Sequence, residues 1–245
     1  MYNYLKKKSS AVVGAVLREI RRTSKYLKQK SSAVVERFRK TSKRRRVTYL
    51  LLAVGIAICF TALAIFQTKV NKTAAKEFLL AASYYQEAQT TEEKEEKLEK
   101  FQEARLLYES ILSKFWVKDR RRALFYLGSC LYSLGEYEEA RKVLQRFESR
   151  YRNDYFAPWA KIKLASIYEQ LQEYEKAVET YEKIPKMYPE SSLVSQALLG
   201  VARCQKLQGK RSEAQRSYEE LISRYPLSEE KQIAEAMIQR LEAEE

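Results

Sequence analysis

The chain carries two hydrophobic patterns, one continuous and one periodic. Val47–Phe66 reads VTYLLLAVGIAICFTALAIF, 20 residues without a charge. At about 1.5 Å per residue, a helix of that length covers ~30 Å, the thickness of a bilayer's hydrocarbon core. The run predicts a transmembrane helix over 47–66, with Tyr49 at the place of an interfacial aromatic. From residue 72 onward, apolar residues recur instead at helical spacing. Phe78, Leu79, Ala82 and Tyr85 make one stripe, and Phe101, Ala104, Leu107, Tyr108, Ile111 and Leu112 make another. Between them lies TTEEKEEKLEK, a longer turn or a helix start. Residues 72–117 therefore read as an irregular first helical hairpin.

The periodicity then becomes a repeat. Tyr151, Tyr188 and Tyr225 are 37 residues apart, and Ala104, Ala140, Ala177 and Ala214 recur at 36, 37 and 37. Gly135-Glu136 and Gly209-Lys210 mark one turn in two copies, and Gln172-Glu173 replaces it in the middle one. Each unit predicts a helix, a turn and a second helix. Small residues at Gly128, Ala165 and Ala202 allow close helix crossings. A lone hairpin cannot bury its own apolar face, so such units stack into a solenoid. Three repeats are expected over 118–227. A capping helix follows over 228–245, with Ser228 at its start and Ile233, Ala234, Met237 and Leu241 on its apolar side.

Composition narrows the chemistry. Six glycines and four prolines favour long helices and leave no Gly-rich phosphate loop. The absence of histidine removes His-based general bases, metal sites and catalytic triads. Three cysteines are too scattered for a zinc cluster. Cys130 and Cys204 hold the same place in two repeats that are separated by a whole unit. That is too far for a disulfide, so they read as buried thiols, with Cys59 inside the apolar run. No catalytic residues, metal ligands or cofactor are expected, and the chain reads as a non-enzyme.

The net charge of +14 resides entirely in residues 1–46, and residues 67–245 are neutral. A nucleic-acid partner for the repeats loses its electrostatic basis. Lys43–Arg46 abut the apolar run, so the positive-inside bias puts 1–46 in the cytoplasm and the repeats on the extracytoplasmic side. The long basic segment and 20-residue apolar run fit a permanent anchor better than a cleaved signal peptide. The tail also holds a duplication: YLKKKSSAVV at Tyr4–Val13 returns as YLKQKSSAVV at Tyr26–Val35. Apolar residues at Leu5, Val12, Val13, Val16, Leu17 and Ile20 suit a basic amphipathic helix on an anionic inner leaflet. A disordered tail and a tail that grips a cytoplasmic partner stay open.

The repeats resemble the tetratricopeptide repeat. Leu127-Gly128, Gly135, Tyr137 and Ala140 fit its pattern in the first unit. Leu164-Ala165, Tyr168, Tyr174, Ala177, Tyr181 and Pro189 fit in the second, and Val201-Ala202, Gly209, Ala214, Tyr218 and Pro226 in the third. The period exceeds the family's usual value of about 34 and implies longer helices. Tyr-Pro-x-Ser at 188–191 and 225–228, with a basic N-terminus and a single anchor, is similar to bacterial envelope tetratricopeptide proteins of the YfgM, BamD and YbgF kind.

The resemblance implies an all-α fold: a right-handed α-solenoid preceded by one transmembrane helix and a basic tail. It also implies a protein-binding groove lined by the first helix of each repeat. Its residues would be Arg122, Phe125, Ser129 and Tyr132; Trp159, Ile162, Ser166 and Glu169; and Gln196, Leu199, Arg203 and Lys206. Phe125, Ile162 and Leu199 also suit the core. The family's carboxylate clamp is not reproduced. The implied function is a single-pass inner-membrane scaffold that binds protein partners in envelope export or assembly, near the Sec translocon or an assembly complex. Two readings stay open beside it: a structural subunit such as a flagellar-motor collar, and a signalling adaptor acting through the tail. Self-association into a homo-oligomer stays open too.

Overall fold

The computed structural model describes residues 43–243 and, ahead of them, residues 19, 22–26, 28, 30 and 32. The amphipathic helix expected over 5–20 and most of the duplication lie outside the described residues. All regular structure among the described residues is helical. The chain divides into two units, residues 1–65 and 66–245. The first contains the apolar run, in which every side chain from Val47 to Ile65 is exposed. Helix α1 (Lys43–Thr90) supplies that run and, beyond Ile65, the first helix of the second unit. From Val47 onward α1 is long and apolar enough to cross a membrane.

The second unit continues with α2 (Lys94–Ser113), α3 (Arg120–Ser133), α4 (Tyr137–Arg150), α5 (Ala157–Gln170), α6 (Tyr174–Met187), α7 (Val194–Leu207), α8 (Arg211–Arg224) and α9 (Glu230–Ala243). From α2 to α9 each helix packs on the next. In addition α3 touches α5, α5 touches α7 and α7 touches α9. The first helices of the repeats thus form a row. This is an α-solenoid, and the all-α reading of the sequence holds.

Local chemistry explains the repeat. Gly135, Gln172 and Gly209 occupy the same turn with φ of 79°, 59° and 76°. In each copy the next residue's N–H reaches back five residues to close the helix: Glu136 to Leu131, Glu173 to Tyr168 and Lys210 to Gln205, at 2.8–2.9 Å. This left-handed closure satisfies carbonyls that the helix end would leave bare. The second turn is equally regular. The carbonyls of Tyr151, Tyr188 and Tyr225 accept from the N–H groups of Asp154, Ser191 and Ser228 at 3.0, 3.0 and 3.1 Å. Asp154 and Ser191 then accept from the N–H groups of Phe156 and Leu193 through their side chains. Ser228 departs from this pattern. Only its main-chain carbonyl accepts, from Lys231 at 3.3 Å, and its hydroxyl has no partner. The side-chain cap expected there does not form.

Packing follows the small-residue series. Ala104, Ala140, Ala177 and Ala214 are fully buried, as are Ala165 and Ala202. A Cβ on Gly128 would lie 2.6 Å from Leu144, so the crossing of α3 and α4 requires its absence. The charged run before Phe101 resolves into a short turn and then two extra helical turns. α2 has 20 residues where the later helices have 14. Around this first hairpin the core is aromatic. Tyr126 packs against the rings of Phe78, Tyr85, Tyr108, Phe125 and Phe156 with centroids 5.2–5.9 Å apart.

Candidate protein-binding groove

The face shared by α3, α5 and α7 holds the residues that the repeat pattern selects. Phe125, Ser129, Ile162 and Leu199 are buried and belong to the core. Their helix position lies where neighbouring first helices meet, so packing removes them from the surface. Gln196 and Arg203 are exposed, and Arg122, Tyr132, Trp159, Ser166, Glu169 and Lys206 are half-buried. A groove on this face therefore narrows to eight of the twelve.

These eight differ in what holds them. Arg122 bonds to Asp119 and lies over the Phe78 ring, 4.4 Å from its centroid. It serves the first hairpin as much as any ligand. Trp159 leans on Tyr155, whose own ring is 74% exposed, at 5.1 Å between centroids. Tyr132 carries the ammonium of Lys163 over its ring at 5.0 Å, a contact expected to contribute about 1 kcal/mol when partly desolvated. Burial pulls the Lys163 ammonium below its ordinary pKa and raises the Tyr132 phenol.

The centre is an ion-paired network. The Arg203 guanidinium donates through Nε and Nη2 to the two oxygens of Glu169, at 2.5 and 2.7 Å. Tyr181 donates to Glu169 at 3.3 Å and meets the Ser166 hydroxyl at 3.0 Å. Ser166 also donates to the Ile162 carbonyl. The hydrogen bonds to Glu169 hold the Arg203 guanidinium charged beyond its ordinary range, and burial lifts the Tyr181 phenol. Such an arrangement presents a fixed pattern of donors and charges. It contains no nucleophile–base pair. Cys130 and Cys204 are buried and free, and burial pushes both thiols up to about 12, so they are unreactive at neutral pH. Among the described residues no cluster of metal-ligating side chains occurs.

A second surface feature was not apparent from the repeat pattern. Tyr155, Pro158, Trp159, Met187, Pro189 and Glu190 line a cleft of about 650 Å³ between the start of α5 and the α6–α7 connection. The aromatic content of the stretch before α5 and the Tyr-Pro pair after α6 were its sequence signals. What hid it is that Tyr155, Pro189 and Glu190 sit in connections and Pro158, Trp159 and Met187 at helix ends, where periodicity says little.

Comparison with known proteins places the repeats. Residues 95–155 match one family model described as tetratricopeptide repeat, and residues 160–191 and 196–228 match another with the same description. Among solved structures, the apo form of RapI superposes with a TM-score of 0.52 at 16% identity, over 71% of this chain and 48% of RapI. The chain thus spans about half the length of that protein, and the likeness concerns the fold. PcrH from Pseudomonas aeruginosa matches at a TM-score of 0.45 and 18% identity, over 52% of this chain and 96% of its own. MamA AMB-1 matches at 0.46 and 15%, over 74% and 86%. No curated protein matches the sequence. The matched repeat stretches make up half of the chain and cover the helices from α2 to α8: the chain belongs to the tetratricopeptide-repeat proteins.

Proposed function

We propose that this is a non-enzymatic, membrane-anchored scaffold whose first-helix row binds a protein partner. In this reading residues 47–66 span a bacterial inner membrane, the basic tail rests on the anionic cytoplasmic leaflet, and the repeats work on the extracytoplasmic side. The partner belongs to envelope protein export or assembly, with the Sec translocon or an assembly complex as the specific candidates. The layout supports this through its similarity to YfgM-, BamD- and YbgF-type proteins. The observation that carries the reading is the run of surface side chains on neighbouring first helices, from Tyr132 through Trp159 and Glu169 to Gln196 and Arg203. Aromatic and arginine side chains of this kind are frequent interface anchors.

The test is photocrosslinking in native membranes from a reactive residue in place of Trp159, with the products identified by mass spectrometry. Crosslinks to translocon subunits, exported chains or an assembly complex support the reading. Crosslinks solely to further copies of this chain replace it with a self-assembling structural role.

A further inference from the structure

The connection from α2 to α3 displays two large apolar side chains that the core does not use. Phe115 is 75% exposed and Trp116 67%, and their rings lie together, 5.4 Å between centroids. The next residue, Val117, is buried. The chain places Trp116 in the left-handed region, φ 53°, a conformation that side chains larger than glycine seldom adopt. That turn sends the two rings outward while Val117 turns in. Adjacent aromatics held in water at a strained turn call for a partner.

Hydrogen bonds show where the pair sits. The Gln67 side chain donates to the Trp116 carbonyl at 2.6 Å, and Asn71 accepts from the Lys118 N–H at 3.2 Å. Gln67 is the residue immediately after the apolar run, and Asn71 is four further on. Helix rise carries these positions roughly 1.5 and 7.5 Å past Phe66. The headgroup zone flanking the hydrocarbon core is about 5–7 Å thick on each side. With 47–66 in the bilayer, chain continuity alone keeps Gln67, and the Trp116 carbonyl bonded to it, near the zone where Trp and Tyr concentrate in membrane proteins.

Charge agrees. Lys69 and Lys72, next to Gln67 and Asn71 in sequence, and Lys118, next to the aromatic pair, are exposed. The acidic side chains of the same stretches are occupied, Glu77 by Lys114 and Asp119 by Arg122. An exposed aromatic pair on stretches that carry exposed lysines matches an anionic phospholipid surface, with rings at the acyl boundary and ammonium groups among phosphates.

We propose that Phe115 and Trp116 insert into the headgroup–acyl boundary of the bilayer that holds residues 47–66, docking the α2–α3 loop on the membrane. The proposal rests on the transmembrane reading of 47–66. Its role would be to fix the first hairpin at the membrane surface and so orient the groove.

The chain has two tryptophans, so the full-length Trp159→Phe variant reports on Trp116 alone. It is reconstituted into phosphatidylcholine–phosphatidylglycerol vesicles, plain or dibrominated near the top of the acyl chains. The expected result is loss of at least a third of the emission in the brominated vesicles. The Trp116→Phe variant, reporting Trp159, should keep its emission. Trp159→Tyr gives the same readout if phenylalanine disturbs α5. Resistance to alkaline extraction is scored on the same vesicles. Integrated protein with an unquenched Trp116 overturns the inference and leaves the span intact; in that case the pair faces water or a protein. Protein that alkali extracts overturns both.

Discussion

Glu169 on α5 and Arg203 on α7 join successive repeats through a two-pronged ion pair, 2.5 and 2.7 Å, beneath which the buried Tyr181 gives Glu169 a third bond. The pair is asymmetric. The glutamate side chain is 11% exposed and the arginine side chain 45%. Removing the arginine leaves a shielded carboxylate held by the Tyr181 hydroxyl and the Cys204 thiol alone, with no opposite charge. Arg203→Ala should therefore destabilise the fold by about 1 kcal/mol, a charged hydrogen-bond pair discounted for solvent screening. Arg203→Lys should recover only part of the loss, because an ammonium cannot match the fork. Urea unfolding of the full chain in detergent measures both.

Gly200 marks a tighter junction. A Cβ there would meet the Tyr181 ring at 2.6 Å, and that ring is fixed by Ser166 and Glu169. Gly200→Ala should cost about 1–3 kcal/mol through overpacking, despite the better helix propensity of alanine. The matching change Gly128→Ala meets the buried Leu144 side chain, which no hydrogen bond holds in place, and should cost less. The order of the two melting temperatures is the check.

Gln172 is the repeat turn's exception. It adopts φ 59° where Gly135 and Gly209 stand in the other copies. Gln172→Gly should stabilise by about 1 kcal/mol by removing left-handed strain, and Gly209→Ala should destabilise by a similar amount. Thermal melts of the two variants should move in opposite directions.

The repeat was readable because its determinants are single residues with hard requirements. An alanine at a helix crossing, a tyrosine at the second turn and a glycine at the first recur at fixed spacing. Phe125, Ile162 and Leu199 were not decidable, since their helix position lies on the border between groove and neighbour and only the close approach of α3, α5 and α7 buries them. The length of α1 was also hidden. The polar stretch from Gln67 to Lys72 looks like a linker, yet it holds no glycine or proline, and helix continues through it. The exposed Phe115 and Trp116 broke no sequence rule. Only the fold shows that nothing in the core covers them.

Alkaline pH should loosen the structure. Burial raises Cys130, Cys204 and Tyr85 to about 12, from ordinary values near 9 for the thiols and 10 for the phenol. The unfolded chain releases these protons near the ordinary values and the folded chain retains them, so stability falls as pH rises from about 9 towards 12. Lys163, lowered by burial, acts in the opposite sense over part of this range. The urea midpoint should be lower at pH 10.5 than at pH 8, and a Cys130→Ala, Cys204→Ala chain should show a smaller drop.

In the proposed function, partners are held by the first-helix row and not by the second helices. The most direct test compares crosslinking yields in native membranes from reactive residues at Trp159 and Gln196, on that row, with those at Glu182 and Glu219, exposed on the second helices α6 and α8. One shared protein product from Trp159 and Gln196 is expected in several-fold excess over either outer position. Equal yields from both faces, or a product obtained mainly from Glu182 and Glu219, would contradict it.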